Sequence, residues 1–421
     1  NLFQQFYNVV DAAIVGQTLG SYALAAVGAS SSVQFLILGF CMGICQGFSI
    51  MVSQSFGAKR LDEMHTYIYA GAAWTAITAF VVSILVVVFC ADILHILQVN
   101  DEIFKDAYAY LVVIFAGIPF TLLYNYLSAI LRAIGDSKTP FFFLAFSAVL
   151  NIGLDFFCIL VLKWGCAGAA IATIFAQAVS GILCFLLIAF KVNVLHIPKS
   201  SRYVDKQHSL KLLAMGVPMG LQFSITAIGS MVMQSANNAL GTIYVSGFTA
   251  GMRIKSLMMC LFDALGAAVS TFLSQNYGAC KLERIHDGYH KGVMVSILYG
   301  AFACVVMVFF GRILSMMFVS ANESQVLDAS ALYLRRMGYF YPVLGILITT
   351  RMSVQGLGYS ARAMLAGFVE MIARCIVALC FVPIFKYNAI TWADQAAWVA
   401  ATLVLIPLWL SAMRAVQKKM S

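Results

Sequence analysis

Long apolar runs, each on the order of 20 residues or more and none alternating with the period of a strand, follow one another along this chain. Such runs leave few folds open. A helix of that length spans the hydrocarbon core of a bilayer, and in lipid only helices and closed barrels satisfy every backbone polar group. The missing alternation selects helices. Composition agrees: 62% of residues are apolar, only 10% are charged, and the mean hydropathy is +0.91. A soluble domain carries about a quarter charged residues, and 421 residues of this balance cannot hide their apolar surface in one water-soluble core.

Polar breaks divide the runs into twelve predicted spans: 1–17, 24–56, 64–91, 104–134, 140–162, 166–190, 209–239, 245–278, 288–310, 329–357, 363–385 and 392–413. The one long polar stretch, with Pro198, gives a linker at 193–208 between a half at 1–192 and a half at 209–421. Loops after the even-numbered spans, with the tail, hold sixteen Lys and Arg; the opposite loops hold Lys105, Lys163, Arg312 and Lys386. That asymmetry predicts a cytoplasmic linker and cytoplasmic termini. The net charge of +9 then belongs to loops facing anionic lipid and not to a nucleic-acid surface. The eleven Cys sit mostly in apolar runs without metal-ligand spacing, and Cys41 and Cys45 read as small buried hydrophobes.

The halves repeat. Ser53-Gln54-Ser55-Phe56-Gly57-Ala58 returns as Ser274-Gln275-Asn276-Tyr277-Gly278-Ala279, and Leu61 and His65 return as Leu282 and His286, at an offset of 221. Tyr110-Leu111, Pro119, Gly135 and Ser137 return as Tyr333-Leu334, Pro342, Gly358 and Ser360 at 223. Six spans per half bring both halves in from the same side, so the repeats are parallel. The predicted fold class is an all-α integral membrane protein, with twelve transmembrane helices as two parallel-repeat six-helix bundles around a central cavity. The repeat also predicts that the sequence begins inside its first helix. Pro119 and Pro342 should kink their spans, as fixed shape or as hinges.

Ionisable groups at membrane depth are costly and mark function by default. Asp11, Asp155 and Thr173 each lie eight or nine residues from an outer turn, roughly 13 Å down a helix. Asn151 shares a face with Asp155. Two carboxylates, an amide and a hydroxyl at one depth suit a proton or Na⁺, or else a hydrogen-bonded cluster that joins helices. Gln4 faces the same way as Asp11, with Tyr7 and Asn8 nearby, and fits either substrate binding or interhelical bonding. In the second half Glu370 and Arg374 are spaced to neutralise one another, and Asp263 offers a second cation site as an alternative. Arg253, Lys255 and Arg351 add positive charge at depth.

Asp11 within YNVVDAAIVGQ, ALAAVG at 23–28, the two SQ-x-x-GA turns and LRAIGDSKTP at 131–140 together resemble the multidrug and toxic compound extrusion family of cation-coupled exporters, over essentially the whole chain. The resemblance implies that family's fold, export activity and cation antiport. It places Asp11 at the family's first-helix aspartate, and Asn151, Asp155 and Thr173 at its N-lobe cation site. The second half departs from the Na⁺-dependent branch: Thr226 stands for a seventh-helix glutamate, and a residue near Leu344 for a tenth-helix aspartate.

The expected function is therefore secondary antiport. Amphipathic, cationic drugs or metabolites would leave in exchange for H⁺ or Na⁺ by rocker-switch alternating access. The alternative is a flippase for a lipid-linked oligosaccharide or another amphiphile, which Arg253, Lys255 and Arg351 would favour. The chain has no HExxH, GxSxG or Walker sequence, so neither an enzyme nor an ATP pump is expected, and no channel filter is evident. The expected partners are a small-molecule substrate and the lipid bilayer, without nucleic acid, ATP or cofactor, for a monomer in the plasma membrane.

Overall fold

A computed structural model describes residues 14, 15, 18–96, 99 and 101–420. The described residues form helices and short turns with no strand. In chain order the helices are α1 (Ser21–Gly57), α2 (Leu61–Val88), α3 (Cys90–Ile96), α4 (Asp101–Ala116), α5 (Ile118–Ala133), α6 (Lys138–Phe156) and α7 (Gly165–Lys191). Then follow α8 (Lys206–Asn238), α9 (Thr242–Gly278), α10 (Leu282–Ser315), α11 (Ser324–Gly338), α12 (Tyr341–Gly356), α13 (Ser360–Ile376), α14 (Val382–Phe385) and α15 (Tyr387–Met420).

Apolar side chains face outward as well as inward. Along α10, Leu298, Phe302, Val305, Phe309 and Ile313 recur at three- and four-residue steps and are all exposed, Phe309 at 73%. A stripe of that kind is stable only with lipid as solvent. Nine described helices are long and apolar enough to cross a membrane, and the bent pair α4 and α5 makes a tenth.

Two expected spans are broken and not continuous. The span at 104–134 divides into α4 and α5, bent by 46°, and the span at 329–357 divides into α11 and α12 at Tyr339 and Phe340. Pro119 and Pro342 lie in the first turn of α5 and α12, where a missing N–H costs nothing and the fixed φ suits a helix start. At the first break, a Cβ on Gly117 would fall 2.3 Å from Cδ1 of Ile174. Glycine there lets α7 close onto the break.

The chain packs as two compact units, one ending at Gly220 and one running from Leu221 to Ser421. Within the first, α1 packs on α2, α4 and α5, and α7 packs on α4, α5 and α6. Within the second, α9 packs on α10, α11 and α12, and α15 packs on α11, α12 and α13. The same scheme is built twice. Backbone turns repeat with it: residues of positive φ pair as Gly20 with Gly241, Lys59 with Cys280, Gly135 with Gly358, and Lys163 with Lys386. Gly135 and Gly358, at φ +100° and +96°, hold a conformation that a Cβ would strain.

Inside the first unit the start of α8 lies against α1 through two facing GxxxG steps. A Cβ on Gly47 would sit 2.5 Å from Cα of Gly216, and one on Gly43 would sit 2.7 Å from Cα of Gly220. Backbones this close leave no room for any side chain between them, which is how small residues join helices in lipid.

Candidate functional site: two buried polar clusters at equivalent places

In the first unit, α6 buries Pro140, Leu144, Ser147, Ala148, Asn151 and Asp155, a stripe at helical spacing. Asp155 is wholly buried and Asn151 nearly so. The neighbouring helix α7 buries small residues, Gly168, Ala169, Ala172 and Ala176, packs on α6, and brings half-buried Thr173 to it. The Asn151 amide donates to Asp155 Oδ1 over 3.5 Å and to Thr173 Oγ1 over 3.4 Å. Both contacts are long for hydrogen bonds, and Asn151 Oδ1 is buried with no hydrogen-bond partner among the described residues. The sequence has no Lys or Arg between Lys138 and Lys163, or between Lys163 and Lys191. Neither helix therefore brings a basic side chain to the Asp155 carboxylate.

Directly after Asp155 the helix loosens into a π-helical turn, Phe157–Val161. Its wider ladder, closed by the Leu162 amide on the Phe157 carbonyl at 3.0 Å, is a feature that recurs at functional sites. The structure thus brings together three of the four residues expected for cation coupling. The fourth, Asp11, lies outside the described residues, as do Gln4, Tyr7 and Asn8.

The second unit holds a different cluster. Asp394, on α15, accepts from the Lys255 ammonium on α9 at 2.6 Å, the Arg374 Nε on α13 at 3.0 Å, and the Tyr333 hydroxyl on α11 at 2.8 Å. Arg374 Nη2 lies 3.4 Å from Glu370 Oε2, and Arg351, on α12, closes onto the other oxygen of Glu370. Lys255, Glu370, Arg374 and Asp394 are all buried. The Lys255 ammonium also lies over the Trp398 ring, 5.5 Å from its centroid.

Glu370 and Arg374 are therefore not the self-contained pair expected from their spacing. Each has a second partner of opposite charge on another helix. Asp263, half-buried on α9, is near enough to Arg351 for their charges to interact but joins none of these ion pairs. Arg253 is exposed. The central acceptor, Asp394, was missed. A span beginning at 392 sets it at the water boundary, whereas α15 begins at Tyr387 and carries it two turns inside. The signal that could have found it was the apolar run continuing upstream through Ala389 and Ile390.

The two clusters are repeat counterparts. Arg374 takes the position of Asn151, and α13, like α6, passes into a π-helical turn, here Val377–Phe381. Asn151 reaches Thr173 on the next long helix, and Arg374 reaches Asp394 on its own next long helix.

A family model, MatE, matches residues 1–157 and 218–380. The chain belongs to the MatE family. Among MatE relatives, "Probable multidrug resistance protein YpnP" of Bacillus subtilis strain 168 is 30% identical over 94% of this chain and 86% of its own length. "FAD transporter" of Shewanella oneidensis is 23% identical over 81% of this chain and 76% of its own. A solved structure described as the "outward-facing conformation of a multidrug resistance MATE family transporter of the MOP superfamily" matches 98% of this chain and 93% of that one, with a TM-score of 0.92 at 19% identity. The MatE fold, the twelve-helix architecture expected from the repeats, is thereby shown for this chain, and its family is one of membrane transporters.

Proposed function

We propose that this chain is a multidrug efflux antiporter of the plasma membrane. It exports amphipathic, cationic small molecules and takes up H⁺ or Na⁺ through Asn151, Asp155 and Thr173, with Asp11 as the fourth member. The observation that carries the reading is the N-terminal cluster. A buried carboxylate with an amide and a hydroxyl on two packed helices offers hard oxygen ligands for a small cation. Relatives named as multidrug resistance proteins support the efflux reading. The two repeats would rock about one another in alternating access, joined by a cytoplasmic linker at 193–208, in a monomer that uses no ATP.

A second reading, export of an anionic amphiphile, draws on the relative named as an FAD transporter. Against it, two of the three deep basic residues, Lys255 and Arg351, are already matched by Asp394 and Glu370. The test is reconstitution in liposomes with a fluorescent organic cation, imposing a pH gradient or a Na⁺ gradient separately. One gradient should drive uptake into the compartment holding the coupling ion. Transport of an acidic dye in place of the cation would favour the second reading, and indifference to both gradients would refute antiport.

A further inference from the structure

We propose that the C-terminal half carries a tethered cation, the Lys255 ammonium, where the N-terminal half binds an exchangeable one, so that each chain has a single coupling site. The inference deepens the antiport reading, on which its transport arm rests.

Three observations support it. The two clusters sit at the same place in the two repeats, each between a helix that ends in a π-helical turn and the long helix that follows. The first cluster contains a carboxylate, an amide and a hydroxyl, with long contacts and a buried amide oxygen lacking a partner. In the second, Asp394 is held by three donors at 2.6–3.0 Å, two of them cationic. A monovalent cation arriving at Asp394 would have to displace Lys255, which is fixed by its own helix. That ammonium is buried, stands over Trp398, and has its backbone carbonyl bonded by Tyr341.

Charge balance points the same way. Lys255, Arg351 and Arg374 are ion-paired with Asp394 and Glu370, and Asp263 lies within charge reach of Arg351, so among the described residues three basic groups stand against three acidic ones. In low dielectric an unmatched charge is expensive, so a balanced cluster holds its composition through a transport cycle. The coupling ion is left to the half whose described cluster is a carboxylate, an amide and a hydroxyl.

The experiment removes the tether and asks whether a free cation replaces it. In detergent-purified full-length protein, Lys255→Ala should lower the melting midpoint by roughly 5 °C or more, because the partner carboxylate loses its matching charge. Ethylammonium should restore at least half of that loss while leaving the wild type unmoved, since a ligand that binds only the folded variant stabilises it. A folded Lys255→Ala protein blind to ethylammonium would overturn the proposal.

If Lys255→Ala does not fold, the charge-balanced double variant Lys255→Met/Asp394→Asn decides. It should melt within a few degrees of wild type by losing both charges together, and failure to recover relative to Lys255→Met counts against the proposal. In proteoliposomes the same double variant should keep the wild-type cation dependence of transport within about threefold. A well-folded double variant that transports without any cation dependence would place coupling at Asp394 and refute the tethered cation. Absence of cation-driven transport in the wild type would refute antiport alone, and the melting experiments would still decide the role of Lys255.

Discussion

Arg374 stands in the second half at the position that Asn151 holds in the first, at the offset of 223 residues that also relates Gly135 to Gly358 and Lys163 to Lys386. One exchange, an amide for a guanidinium, changes what each half can do. A neutral amide leaves room for an added cation beside Asp155. A guanidinium adds a fixed positive charge beside the Lys255 ammonium and needs two carboxylates, Glu370 and Asp394, to hold it at depth.

The first prediction concerns the exchangeable site. Asp155→Asn keeps side-chain shape but removes the charge that must alternate, so the protein should insert and still bind substrate without exporting it against a gradient. Asn151→Ala and Thr173→Ala each remove one neutral ligand and should weaken apparent cation affinity about tenfold, the worth of one hydrogen bond to an ion. Gradient-driven efflux from proteoliposomes matched for protein amount measures all three. Wild-type efflux by Asp155→Asn would remove this cluster from the mechanism.

Exchanging Glu370 and Arg374 for one another tests the shape of the second cluster. For an isolated pair, the swap would restore what either single change destroys. Here it sets a carboxylate at 374 against Asp394 and a guanidinium at 370 against Arg351, two buried like-charge contacts. The swapped protein should therefore be less abundant and less stable than either single variant. Recovery to wild-type melting would mean that Arg351 and Asp394 are not true partners.

Close approach of α1 and α8 predicts a steep size dependence. Gly47→Ala places a methyl group 2.5 Å from Cα of Gly216, which forces the helices apart at a cost of about 1–3 kcal/mol. Gly47→Val should cost more, since larger intrusions demand larger backbone shifts. Gly28→Ala, whose added Cβ would meet nothing within 4 Å, is the control and should be neutral or slightly stabilising. Thermal melting in one detergent compares them. Equal effects of Gly28→Ala and Gly47→Ala would disprove the close contact.

Membrane orientation is open to labelling. Ser201 is buried, so exposed Arg202 and Gln417 are the better positions for new cysteines. Cys280 and Cys380, which are exposed, must first be replaced. Both new thiols should react with an impermeant maleimide only after the cytoplasmic face is opened. Reaction of either in intact cells would reverse the orientation drawn from loop charge.

Much of this was legible in order along the chain. Apolar runs too long and too continuous for strands dictate membrane helices, because lipid leaves no other way to satisfy the backbone. Recurrence of SQ-x-x-GA at offset 221 gives the duplication, and helical spacing alone puts Asn151 and Asp155 on one face. These are local relations, and a sequence records them directly. Partner choice is not local. Lys255 and Asp394 are 139 residues apart and meet at 2.6 Å where α9 and α15 both reach Tyr333. Spacing rules see Glu370 and Arg374 as a closed pair because both lie on one helix; only packing adds Arg351 and Asp394 from two others. The GxxxG steps at Gly43 and Gly216 were visible as letters, but which helix each meets depends on how the bundle closes. Sequence determined the class, the repeat and the first cluster; tertiary structure decided which charges neutralise one another, since in low dielectric that is settled by distance between helices and not along them.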